Sequence, residues 1–171
     1  MITLSIIFFK DLLKNNFKEF KNHFKAYRQN LLPLLGKYYL AYIFVAIIAA
    51  LLCKEMNSAN QESIMKLPIW YSLPLAVIYA PIVEEILFRG CLRRFIKNDK
   101  VFIAISAIVF GLLHTVFSEA TLYNTIVMAL PYMTIGCFLA YVYAKTNNIL
   151  CNMSFHCFHN TIAMILMILI R

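Results

Sequence analysis

The stretch LPIWYSLPLAVIYAPIVEEILFRGCLRRF, Leu67 to Phe95, decides the fold. A run of apolar residues long enough to cross a bilayer, for which roughly 20 suffice, ends in two adjacent glutamates and an arginine and then in a basic cluster. Ionisable groups at such a place are costly unless paired or hydrated, so Glu84, Glu85 and Arg89 are the first candidates for a functional site.

Outward from this stretch, the 171 residues are 62% hydrophobic and 14% charged, with a mean hydropathy of +0.73. That is the composition of an integral membrane protein, not of a soluble domain. Apolar segments also run Leu31 to Cys53, Val101 to Phe117, Thr121 to Ala144 and Ile149 to Ile170. With Leu67 to Phe88 they predict an all-α polytopic membrane bundle of about five transmembrane helices.

The net charge of +8 does not point to nucleic acid, because of where the cations lie. They gather at Lys10 to Lys37, Arg89 to Lys100 and Lys145, and alternate with the poorer connectors Lys54 to Lys66 and Ser118 to Ala120. The positive-inside rule puts the first group, and the N terminus, in the cytoplasm. The five cysteines are scattered without a CxxC pair, which implies neither a disulfide framework nor a thiolate zinc site.

MITLSIIFF lacks the basic start and the small-residue cleavage site of a signal peptide, so the first helix is expected to be retained. In it Phe9, Leu13, Phe17, Phe20, Phe24 and Tyr27 recur at helical spacing, with Lys10, Lys14, Lys18, Lys21, Lys25 and Arg28 one residue behind. Residues 1–30 therefore read as a basic amphipathic arm on the lipid surface, with a partner-binding helix as the alternative, and residues 31–171 as the membrane domain. Cys53 to Lys66 reads as a polar loop, and KNDK (Lys97 to Lys100) and KTNN (Lys145 to Asn148) as turns closing helical hairpins. Pro81 removes the hydrogen bond to the Val77 carbonyl and is expected to kink the helix just before Glu84.

Three polar groupings stand inside apolar helices: Glu84-Glu85-x-x-x-Arg89, Phe110-x-x-x-His114 and His156-x-x-x-Asn160. Glu84 and His114 are equally distant in sequence from the turn at Asp99, so an antiparallel hairpin sets them at similar height, and His156 is expected near the same level. Glu85 and Arg89 form an i, i+4 pair that reads as a salt bridge clamping a helix end near the interface. Glu84 lies about 100 degrees round the helix from Glu85 and is left for another role. His159 and Asn124 read as helix packing, and His23 as surface.

A carboxylate with a partner imidazole can hold and deprotonate a water, while an imidazole and a carboxamide on one helix face can stabilise an oxyanion. Together these groups suit hydrolysis of an amide without a nucleophilic Ser or Cys. Zinc on Glu and two His is the competing chemistry, although HExxH is absent, and proton or ion transport is the competing class.

At these residues the chain resembles the CAAX protease and bacteriocin-processing (CPBP, or Abi) family of intramembrane glutamic endopeptidases, whose pattern EExxxR, FxxxH, HxxxN stands here as EEILFR, FGLLH and HCFHN. The resemblance covers about Leu67 to Met167. It implies that Glu84 and His114 activate the water, that His156 and Asn160 form the oxyanion hole, and that Glu85 and Arg89 organise the site. It also implies a metal-free enzyme of a bacterial plasma membrane, its active site open to the cytoplasm. The substrate would be a membrane-associated peptide or protein, in bacteriocin maturation or self-immunity. Members that process prenylated proteins have more membrane helices than this chain shows. A non-catalytic immunity protein using the same fold is the alternative from another class.

Overall fold

The computed structural model describes residues 2–53 and 59–170. Lys54 to Ser58, part of the expected polar loop, lie outside the described residues, as do the side chains of Phe9 and its neighbours at the N terminus. The described backbone is helical apart from short connections, without strands.

Helix α1 runs Ile2–Leu52, and the expected amphipathic arm and first span are one uninterrupted helix. Its apolar stripe divides. Leu13, Phe20 and Tyr27 pack on the bundle core, whereas Phe17 and Phe24 are exposed. Asn16, in the middle of the basic stretch, is buried: its carboxamide oxygen accepts from the Ile149 N–H, and its carbonyl accepts from the Asn148 side chain at 2.9 Å. Asn148 Oδ1 accepts from the Cys151 N–H at 3.0 Å, so two asparagines satisfy free N–H groups at the start of α8 (Ile149–Ile170). The arm therefore docks on its own bundle.

The expected loop contains a short helix, α2 (Ala59–Lys66), with Glu62 in its first turn and Lys66 in its last, the charge order that the helix dipole favours. The decisive stretch is helical from Ile69 to Phe95 but alternates in pitch: α3 (Ile69–Pro74), a π-helical segment Leu75–Tyr79, α4 (Ala80–Glu85), a second π segment Ile86–Cys91, and α5 (Leu92–Phe95). Pro81 is absorbed by the first wide turn, where the Ala80 N–H reaches Leu75 O, five residues back.

Helices α6 (Asp99–Thr115) and α7 (Leu122–Thr146) form the most extensive pair. In KNDK, Asn98 is an N-cap that accepts from the Val101 N–H at 3.1 Å. The left-handed backbone lies in the other turn, at Asn147 with φ 48°. Arg93 pairs with Asp99 across the first turn. Glycines set the approach of α6 and α7: a Cβ on Gly136 would sit 3.0 Å from Phe110 Cβ and 3.1 Å from Ala107 Cα, and one on Gly111 would strike Met133 and lie 2.9 Å from Ala129 O.

Among the described residues, three helical stretches are long and apolar enough to cross a membrane, Leu13–Leu52, Leu122–Thr146 and Ile149–Leu169. The other two expected spans are the α/π stretch Ile69 to Phe95 and α6, which has 17 residues. Large apolar side chains face outward, Leu40 at 73% and Leu51 at 81% exposure among them, as on a bundle whose solvent is lipid.

Gly136→Val is expected to lower stability by ~1–3 kcal/mol, the usual cost of overpacking. Gly36, which has nothing within 4 Å of a built Cβ, is the control: thermal unfolding in detergent should show a loss for Gly136→Val and none for Gly36→Ala.

Candidate active site

Polar side chains from α4, the second π segment, α6 and α8 converge inside the bundle. Glu85 and Arg89 are both fully buried, with Arg89 Nη1 3.2 Å from Glu85 Oε1. The sequence reading placed this pair at a helix end near the interface. It is instead the centre of the core, because each group finds further partners there. Arg89 Nη2 donates to the Gly136 carbonyl at 3.0 Å, and the guanidinium lies 5.1 Å from the Phe110 ring centre. Glu85 Oε1 also accepts from His156 Nδ1 at 2.7 Å, and Glu85 Oε2 accepts from Asn152 Nδ2 at 2.9 Å. These partners offset part of the cost of burying the pair, while Arg89 Nε is left without one.

Glu84 is oriented differently, as the 100-degree step on the helix requires. Its carboxylate faces two imidazoles, with Oε1 3.8 Å from His114 Nε2 and Oε2 3.6 Å from His156 Nε2. These separations exceed a direct hydrogen bond, so neither Nε2 atom is bonded to the carboxylate it faces. The expectation that these three residues share a level agrees with the geometry.

The tautomers follow from the other ring nitrogens. His114 Nδ1 lies 2.7 Å from the Phe110 carbonyl, which can only accept, so Nδ1 carries a proton and Nε2 is the ring nitrogen turned toward Glu84. The ring is held between Phe110, 4.4 Å between centroids, and Tyr132, stacked at 4.7 Å. His156 Nδ1 donates to Glu85 in the same manner, leaving Nε2 toward Glu84. Asn160 Nδ2 donates at 2.9 Å to Ala76 O, which in a regular α-helix would accept from the Ala80 N–H. The π turn before Pro81 diverts that N–H to Leu75 and leaves the Ala76 carbonyl open for Asn160.

Glu84, His114, His156 and Asn160 line one cavity of about 430 Å³, together with Tyr42, Tyr132, Met128 and Met164. Gln61 and Ile64 of α2 also line it. The cavity thus extends from His114, in the last turn of α6, toward α2.

Of the residues set aside as packing, His159 joins an aromatic group on α1, with Nδ1 3.0 Å from Tyr38 Oη and its ring 5.1 Å from that of Tyr42, and it lines the cavity as well. Asn124 sits in the first turn of α7, half-buried. His23 is exposed beside Glu19, as expected. The sequence reading missed Asn152 and Tyr132. Asn152 had a signal, since Asn152, His156 and Asn160 recur every four residues on one face of α8.

For zinc, Glu84 and the two imidazole Nε2 atoms would be the donor set. Among the described residues, no three His, Cys, Asp or Glu side chains are arranged to hold a metal ion.

The family profile described as type II CAAX prenyl endopeptidase Rce1-like matches residues 66–162, more than half of the chain, including Glu84, Glu85, Arg89, His114, His156 and Asn160. The chain belongs to this Rce1-like family. Among relatives, an uncharacterised protein of Mycoplasma capricolum is 30% identical over 96% of this chain and 52% of its own length. Two Lactococcus lactis proteins, UPF0177 protein YxdF and UPF0177 protein YbdI, are 30% and 31% identical over 67% of this chain, covering 60% and 67% of their own lengths. The chain thus spans only about half the length of the Mycoplasma relative. No solved structure matches.

The geometry makes the Glu85–Arg89 pair a structural centre of this Rce1-like core. Arg89→Met, which leaves Glu85 buried beside one fewer cation, is expected to cost ~3–5 kcal/mol. Adding Glu85→Gln should recover part of that loss. Unfolding temperatures of the single and double variants test this, and equal losses that simply add would contradict it.

Proposed function

We propose that the protein is an intramembrane endopeptidase in which a water held between Glu84 and His114 attacks the peptide carbonyl. The observation that carries this reading is the gap between Glu84 and the two imidazoles, 3.8 and 3.6 Å. A carboxylate and a neutral imidazole nitrogen are both acceptors, so a water between them donates both hydrogens and turns a lone pair outward. That is the orientation a nucleophile needs.

His156 turns Nε2 into the cavity while Glu85 holds Nδ1, and an N–H at Nε2 donates to the oxyanion. The second N–H of Asn160 Nδ2 is the other donor, the first being fixed on Ala76 O. Attack transfers the water proton to Glu84, the tetrahedral intermediate collapses, and Glu84 returns that proton to the leaving amine. Glu85, Arg89 and Asn152 position His156 without touching substrate.

The substrate class is a peptide or protein held at the membrane, and processing of a bacteriocin precursor or defence against an incoming one is the setting that the resemblance suggests. The positive-inside rule places the N terminus and the basic turns in the cytoplasm of a bacterial plasma membrane, with the cavity extending toward the far leaflet.

Glu84→Gln and His114→Ala are each expected to lower peptide cleavage by at least about 100-fold, the scale of a lost general base, with unfolding temperatures unchanged. Full activity in either variant contradicts the mechanism. A strong chelator should leave the wild type active; inactivation by EDTA with recovery on adding zinc would assign the chemistry to a metal on Glu84, His114 and His156. Toxin protection that survives Glu84→Gln would favour an immunity protein acting by binding.

A further inference from the structure

On the side of the bundle where α1 packs on α8, the two helices touch through polar contacts at two levels, the second at His159 on the edge of the catalytic cavity. At the basic end Asn16 caps the start of α8 through the Ile149 N–H and Asn148. Toward the other end Tyr38 Oη meets His159 Nδ1 at 3.0 Å. Between these two clamps lies a cavity of about 240 Å³, walled by Phe20, Phe24, Tyr27 and Leu35 of α1 and by Phe155 and Phe158 of α8. Its polar lining residues are Arg28 and Ser154, and the Ser154 hydroxyl is bound to its own helix at Leu150 O, 2.9 Å away. Phe24 is 51% and Phe158 48% exposed, so the groove opens outward through aromatic edges.

The charge on its rim is one-sided. Lys21, Lys25 and Arg28 follow one another at helical spacing, all exposed, on the stripe next to the groove-lining Phe20, Phe24 and Tyr27. Glu19 is the one acid between Leu13 and Asn30, and it sits 3.1 Å from His23. Apolar walls at the depth where α1 changes from basic to apolar, with cations at the upper rim, are complementary to a molecule with an acyl chain and an anionic head.

We propose that this groove is a binding site for one anionic phospholipid, with an acyl chain between Phe24, Phe155 and Phe158 and the phosphate against Arg28 and Lys25. The site is independent of the catalytic reading. Its occupant fills the space between two clamps that hold α1 to α8, and so ties the basic stripe to the bundle at a fixed depth.

Native mass spectrometry of the full chain, equilibrated with equimolar phosphatidylglycerol and phosphatidylcholine, tests the assignment. Wild type should retain one phosphatidylglycerol in preference to phosphatidylcholine. Arg28→Gln should reduce that preference by about fivefold, the factor of one basic side chain at an anionic surface, and Arg28→Lys should keep most of it. Ser154→Trp, a change at an exposed position that fills the groove, should abolish retention of both lipids while leaving the unfolding temperature in detergent unchanged. Equal retention of the two lipids by wild type would overturn the headgroup assignment, and undiminished phosphatidylglycerol on Ser154→Trp would overturn the groove as the site.

Discussion

The structure turns on one buried ion pair. Glu85 and Arg89 have no exposure, and such a pair in an apolar bundle is costly unless the protein supplies further partners, which it does for each of their charged-group atoms except Arg89 Nε. Here α7 gives the Gly136 carbonyl, and α8 gives His156 and Asn152. Three elements are thus fixed relative to one another by the solvation needs of two side chains. Gly136 serves twice: its missing side chain lets α6 and α7 close together, and its carbonyl receives the guanidinium.

The proposed function rests on what that pair leaves over. Glu85 takes Arg89 Nη1 and His156 Nδ1, and the adjacent Glu84 faces the Nε2 atoms of His114 and His156. The wide turn at Leu75–Tyr79 contributes from the other side. It accommodates Pro81, releases the Ala76 carbonyl, and so orients Asn160 into the cavity wall. A proline that sequence reasoning assigns to a kink therefore acts through a hydrogen bond passed to a side chain.

Much of this was legible in the sequence for a simple reason. Inside apolar helices each polar residue is conspicuous, and Glu84, Glu85, Arg89, His114, His156 and Asn160 stood out at helical spacing. Counting from a turn sufficed to align Glu84 with His114, since helix rise is constant. Depth was harder. Glu85 and Arg89 look like an interfacial clamp when only their own helix is considered, and the partners that draw them into the core come from α7 and α8. Asn16 was hidden among lysines, and its cap on α8 depends on a tertiary contact with no local pattern. Tyr132 and Tyr38 are ordinary aromatics until the imidazoles beside them are placed.

The most direct test of the account uses membrane-associated peptides incubated with the reconstituted protein in ¹⁸O-enriched water, with both ends of every fragment mapped by mass spectrometry. The account predicts new internal N termini, each matched by a new C-terminal carboxylate carrying one ¹⁸O from the attacking water. Peptides that bind the protein yet remain uncut and unlabelled would contradict it.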